Sequence, residues 1–174
     1  KSGIWSFPLN IGYVASYAKK KLTDLGIDCE FKLFKDPIKM MDAIEEENPK
    51  IVALSYYVWN SKLNNRIFQF VKEHNPKTLT IGGGPNFTNI NANEKGAKKF
   101  FSNQRNCDAY VVNQGEKCFF ELIKTFINIK LDIDKFRNIS IPGSLINDLK
   151  QNNQINIKNC TNKVHVGKNI GPLD

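Results

Sequence analysis

Three short apolar runs, Ile51-Val52-Ala53-Leu54, Thr78-Leu79-Thr80-Ile81 and Ala109-Tyr110-Val111-Val112, constrain this chain more than any other feature. Continuous runs of this kind suit strands covered on both faces by helices. Helical patterns stand between them. Ile11, Val14, Ala15, Ala18 and Leu22 recur at three- and four-residue steps, with Gly26 as the terminating residue. Asp36-Pro37 reads as a capping side chain followed by proline at the first helical position, and Ile38, Met41, Ala43 and Ile44 give that helix its apolar face before Asn48-Pro49 stops it. Ser61 caps a helix through Leu63, Ile67, Phe68 and Val71; residues 93–103 form another; a last one follows Gly115-Glu116 through Phe119, Leu122, Ile123 and Phe126.

Helix and strand in alternation predict right-handed crossovers and a mostly parallel sheet with helices on both faces, a doubly wound α/β fold of the Rossmann or flavodoxin kind. Cys29 to Lys35 alternates as a strand with one wetter face does. A doubly wound sheet begins with a strand, whereas the first clear element here is a helix. We therefore expect a first strand that is missing from residues 1–174. The α/β pattern spans residues 1–128. Residues 129–174 read as a small extension, with strands at Ile141–Ile146 and Ile155–Ile157 turning at Asn152-Asn153, and then a linker from Thr161 to Asp174.

Composition excludes several classes. No apolar run approaches the roughly 18 residues of a membrane span, and the first residues lack the apolar stretch of a signal peptide, so the expected location is cytoplasmic. Cys29, Cys107, Cys118 and Cys160 are too dispersed for a zinc or iron–sulfur motif and read as reduced structural thiols. The net charge of +8 raises the possibility of a nucleic-acid partner. However, Lys19-Lys20-Lys21 and Lys98-Lys99 fall on helices as solvated faces, and a nucleic-acid role is disfavoured.

Ligands of open α/β sheets sit outside the carboxyl ends of the strands. Three loops there stand out. Ser55-Tyr56-Tyr57-Val58-Trp59-Asn60 brings a hydroxyl and an aromatic cluster, which either walls a cavity or packs a helix onto the sheet. In Gly82-Gly83-Gly84-Pro85 the absent Cβ atoms let a ligand approach backbone closely; a tight turn is the plainer alternative. Asn113-Gln114-Gly115-Glu116 opens a helix whose N–H groups attract negative charge, while Glu116 can equally cap that helix. His74 and His165 follow no ligand or triad spacing, and neither a GxGxxG nor a GxxxxGK[ST] motif is present. No self-contained catalytic constellation appears.

The order of Pro8-Leu9-Asn10-Ile11-Gly12-Tyr13-Val14-Ala15, Ile51-Val52-Ala53-Leu54-Ser55 with Trp59-Asn60, Ile81-Gly82-Gly83-Gly84-Pro85, and Gly115-Glu116 with Phe120-Glu121-Leu122 resembles the cobalamin-binding domain of radical S-adenosylmethionine enzymes. The resemblance covers about residues 5 to 146, and Gly171-Pro172-Leu173-Asp174 is similar to the linker into that family's radical core. It implies a cobalamin-binding module, of a methyltransferase or related enzyme, whose iron–sulfur cluster and S-adenosylmethionine belong to a downstream core domain of the same parent chain. It implies that Ser55 with Tyr56, Trp59 and Asn60, and Gly82, Gly83, Gly84 and Pro85, line the slot for the nucleotide tail of the cofactor. Asn113, Gly115 and Glu116 would approach the ribose or phosphate end, and Trp5, Phe7, Pro8 and Leu9 would face the corrin. The Asp-x-His-x-x-Gly loop that supplies a cobalt-ligating histidine elsewhere is missing, so the corrin would have no protein histidine ligand. A nucleotide- or flavin-binding domain and a non-catalytic interaction domain that has lost its site are the alternative readings.

Overall fold

The computed structural model describes residues 9–87, 94–112 and 114–148. Along the chain run α1 (Leu9–Asp24), α2 (Pro37–Glu47), β1 (Ile51–Ser55), α3 (Ser61–His74), β2 (Leu79–Gly83), α4 (Glu94–Asn103), β3 (Ala109–Val111), α5 (Gly115–Asn128), α6 (Ile133–Phe136) and β4 (Ser144–Ile146). The sheet has the order β1-β2-β3-β4. β1, β2 and β3 are parallel, and β4 runs antiparallel to β3. This is the α/β, Rossmann-like fold that the apolar runs predict.

Local chemistry sets the helix ends. Gly26 at φ 73° closes α1, with Gly26 N–H donating to Thr23 and Ile27 N–H to Leu22, the paired bonds of a Schellman cap. The Asp36 carboxylate accepts from the Ile38 N–H at 2.9 Å, ahead of proline at the start of α2. Asn60, rather than Ser61, occupies the N-cap position of α3.

Strand residues alternate between two cores, as the two-residue pleat requires. On one face Leu79, Ile81, Ala109, Val111 and Ile146 meet Ala18 and Leu22 of α1, Leu122 and Phe126 of α5, and Phe136 of α6. On the other, Val52, Tyr110 and Leu145 meet Ile44 of α2, Ile67, Phe68 and Val71 of α3, and Phe101 of α4. An ionic cluster sits near the amino ends of the strands. The Asp108 carboxylate, 2% exposed, accepts from Lys72, from the Thr80 N–H at 3.0 Å and from the Thr80 hydroxyl at 2.8 Å, and Arg137 lies at 3.4 Å.

One expectation changes. Cys29–Lys35 is not a strand of the sheet. Ile27, Cys29 and Phe31 do alternate inward onto the α1/α5 core, but among the described residues no strand pairs with them to make a ladder. Ser144–Ile146, within the expected strand at Ile141–Ile146, is β4. It joins the main sheet on β3, and Ile133, Phe136 and Ile141 complete the α1/α5 core. The anticipated partner strand at Ile155–Ile157 and the linker beyond it lie outside the described residues.

Candidate functional site

The carboxyl edge of the sheet is built by register. Ser55 pairs with Gly83, and Gly83 with Val111. In parallel strands paired residues point to the same face, so the three form a row on the α1/α5 side. Above one end of the row, α1 and α5 meet closely: a Cβ on Gly115 would stand 3.0 Å from the Val14 Cγ2. Ser55, Gly83 and Val111, together with Gly115 and Glu116 in the first turn of α5, line one large groove of about 1420 Å³. The groove exceeds the roughly 300–1,000 Å³ of most small-molecule pockets. It also extends along the outer edge of β1, between that strand and residues 27–34, and under Met40 and Ile44 of α2.

The three consecutive glycines do different work. A Cβ on Gly82 would meet the Tyr110 ring at 2.8 Å and the Tyr56 ring at 3.1 Å, on the face opposite the row. Gly84 has φ 123°, and a Cβ there would lie 2.6 Å from the Tyr56 carbonyl oxygen. Both line the groove with their backbone, but a side chain at either would strike the protein itself. At Gly83 a Cβ would meet only Val111, at 3.4 Å and 3.8 Å. Gly83 is therefore the one glycine of the three whose missing side chain leaves space on the α1/α5 face of the sheet, where the groove lies.

The aromatic loop divides in the same way. Tyr56 is fully buried among Phe68, Phe100 and Tyr110, and its hydroxyl donates to Gln104 at 3.2 Å. Burial holds its phenol far above the ordinary range. It is a core residue and does not line the groove, which corrects the reading of Tyr56 as a cavity wall. Tyr57, one residue on, does line it, and stacks on Trp59 with ring centroids 4.6 Å apart. Trp59 is 80% exposed and stands beside the groove. Asn60 is a fastener: its side-chain oxygen accepts from the Tyr57 N–H at 2.8 Å, and its amide donates to the Ser55 carbonyl at 2.9 Å. Asn64, which sequence reasoning missed, donates to the same carbonyl at 2.9 Å.

Of the remaining expected residues, Pro85 lines the groove and Leu9 is an exposed first residue of α1. Trp5, Phe7, Pro8 and Asn113 lie outside the described residues. His74 is exposed on α3 and does not line the groove. Among the described residues, no cluster of three histidine, cysteine or carboxylate side chains could hold a metal ion. Cys29 lines the groove, but burial and the neighbouring Asp28 carboxylate push its thiol up, which disfavours the thiolate a metal would bind. No helix of the described residues is long and apolar enough to cross a membrane.

No family model matches the chain. Two curated relatives do. One is a 2-(S-pantetheinyl)-carbapenam-3-carboxylate methyltransferase of Streptantibioticus cattleyicolor, 30% identical over 122 residues, which is 67% of this chain and 16% of that protein. The other is the cobalamin-dependent radical SAM methyltransferase TokK of Streptomyces tokunonensis, 27% identical over 139 residues, which is 77% of this chain and 19% of that protein. The chain thus spans less than a fifth of the length of either relative.

Proposed function

We propose that this domain is the cobalamin-binding module of a radical S-adenosylmethionine enzyme, a methyltransferase, and that its cofactor enters the groove at the carboxyl edge. The single observation that carries this reading is the bare backbone of Gly83 between Ser55 and Val111, on the floor of the groove at the carboxyl edge of the sheet. The distant likeness to two methyltransferases, one of them named as cobalamin-dependent, supports it.

The donor set fits a corrin held by shape. Ser55 offers a hydroxyl that donates and accepts beside the nucleotide tail. Gly83 leaves room for the flat base of that tail, and Gly115 and Glu116 at the first turn of α5 approach its ribose or phosphate end. Tyr57 and Trp59 give the mouth an aromatic wall. Asn60 and Asn64 act as positioning residues that fix the end of β1. No histidine lines the groove among the described residues, so these residues would hold the cofactor by shape and hydrogen bonding. When bound, the cofactor supplies methyl transfer through cobalt, while the protein supplies placement and a dry, apolar wall. The iron–sulfur cluster and S-adenosylmethionine belong, in this reading, to a further domain of the parent chain.

Addition of hydroxocobalamin to the full-length parent protein, followed by desalting, tests the reading. Corrin absorbance retained at about one equivalent per chain supports it. Complete loss of the absorbance, from protein that remains folded, overturns it.

A further inference from the structure

The helices on the side of the sheet away from α1 and α5 carry charge that the molecule leaves unmatched. α2, α3 and α4 share one core through Ile44, Phe68 and Phe101. Their lateral order follows the strands, since α2 leads into β1, α3 links β1 to β2, and α4 links β2 to β3. α2 is the acidic flank: Asp42, Glu45 and Glu46 are exposed, and Lys39 is the one cation in its sequence. α4 is the basic flank: Lys95, Lys98 and Lys99 are exposed, and Glu94 is the one acid in its sequence. On α3 between them, Lys62 and Arg66 extend the basic side. Among the described residues, no ion pair holds the three acids of α2, nor Lys62, Arg66, Lys95 or Lys99.

Geometry keeps these charges apart within one molecule. With α3 between them, α2 and α4 stand about two helix spacings apart, roughly 16–20 Å, which is beyond the screening length of about 8 Å at physiological salt. The surface between the two flanks is partly apolar. Ile38 on α2 is 69% exposed and Leu63 on α3 is 46% exposed. The face therefore runs from acidic through apolar to basic, and such an ordered surface is complementary to itself.

Symmetry identifies the occupant. We propose that this face binds a second copy of the same chain, in a two-fold dimer whose axis lies in the interface along α3. That axis stacks α3 on α3 and lays the acidic α2 of each copy over the basic α4 of the other, so every contact between flanks occurs twice. Leu63 meets its own counterpart near the axis, and Lys62 and Arg66 reach towards α2 of the other copy. The other in-plane axis, at right angles to α3, sets acid on acid and base on base, and like-charge repulsion disfavours it. Three helices of 10 to 14 residues at 1.5 Å per residue make a patch of roughly 500 Å² in projection. This is the small end of specific interfaces, so the dimer is weak and sensitive to salt. The inference stands on the helix layer alone and does not depend on which cofactor the groove takes.

Sedimentation velocity of the full-length protein provides the test. At about 100 µM chain and about 0.05 M salt a dimer is expected, with a dissociation constant that rises as salt is raised to about 0.5 M. Two charge-reversed variants make the test specific: Glu45→Lys with Glu46→Lys, and Lys95→Glu with Lys99→Glu. Each alone is expected to raise the dissociation constant at least about tenfold. An equimolar mixture of the two is expected to dimerise again, because each reversed flank then meets an opposite charge in the other variant. Recovery in the mixture also shows that both variants are folded. A monomer at low salt overturns the proposal, as does a dimer indifferent to salt or to both reversals, or a mixture no more associated than its parts.

Discussion

The Tyr110 hydroxyl donates a 2.7 Å hydrogen bond to the carbonyl oxygen of Gly84, tying the glycine loop to the aromatic core on the face opposite the groove. Burial pushes the Tyr110 phenol well above its ordinary range, so it remains a donor at any working pH. Tyr110→Phe keeps the ring and removes the bond. The expected loss is about 1 kcal/mol of stability, read from urea denaturation; an unchanged midpoint would show that the loop is held by packing alone.

The three glycines separate stability from binding. Gly82→Ala drives a Cβ into the Tyr110 ring and is expected to cost about 1–3 kcal/mol. Gly84→Ala adds a left-handed φ and a backbone collision with Tyr56, for about 3 kcal/mol or more. Gly83→Ala meets only ordinary contact with Val111, and stability within about 1 kcal/mol of the wild type is expected. Thermal melts of the three variants check the order; a Gly83→Ala variant as unstable as Gly84→Ala would contradict it.

The Asp108 cluster is the stability element most sensitive to a single change. Lys72 and Asp108 have side chains 6% and 2% exposed, and the same carboxylate is shared by Thr80 and approached by Arg137. Lys72→Met leaves a buried carboxylate with part of its partners, and a loss of about 3 kcal/mol is expected in chemical denaturation. A loss below about 1 kcal/mol would mean that Arg137 and Thr80 suffice.

Buried thiols give a pH dependence. Burial pushes Cys118 up to about 12 and raises Cys107 as well. Each thiol is then deprotonated in the unfolded chain before the folded one, so the stability it contributes is fully present below the ordinary value of 9.0 and is lost as pH rises from there towards about 12. Alkylation with peptide mapping at pH 8 should label half-buried Cys29 slowly and leave Cys107 and Cys118 untouched until the protein unfolds. Rapid labelling of Cys118 in the folded state would contradict this.

Much of the fold was legible because its signals are local. The apolar runs at Ile51, Leu79 and Ala109, the Asp36-Pro37 start and the Gly26 stop each act through a few neighbouring residues. Cys29–Lys35 misled for a physical reason: its alternation reports which side chains point inward, while a strand also needs a backbone partner, and no alternation encodes that. The site was legible as loops and illegible as faces. Ser55, Gly82, Gly83, Gly84, Gly115 and Glu116 do line one groove, but the choice between Tyr56 and Tyr57, and which glycine could carry a side chain without striking the protein, turn on pleat parity. Val52, Leu54 and Tyr56 share a side opposite to Ile51, Ala53 and Ser55; counting by twos from the buried Val52 would have assigned Tyr56 to the core. The role of Asn64 carried no such signal, because its bond to Ser55 exists only once α3 packs beneath β1.

The central claim is that the groove over the Ser55–Gly83–Val111 row receives the cofactor. The most direct measurement is cobalamin retention by the full-length protein and by its Gly83→Leu variant, side by side, with folding verified by circular dichroism. The wild type should retain about one corrin per chain, and the variant, equally folded, should retain little. Equal retention by both, or none by the wild type, would contradict the claim.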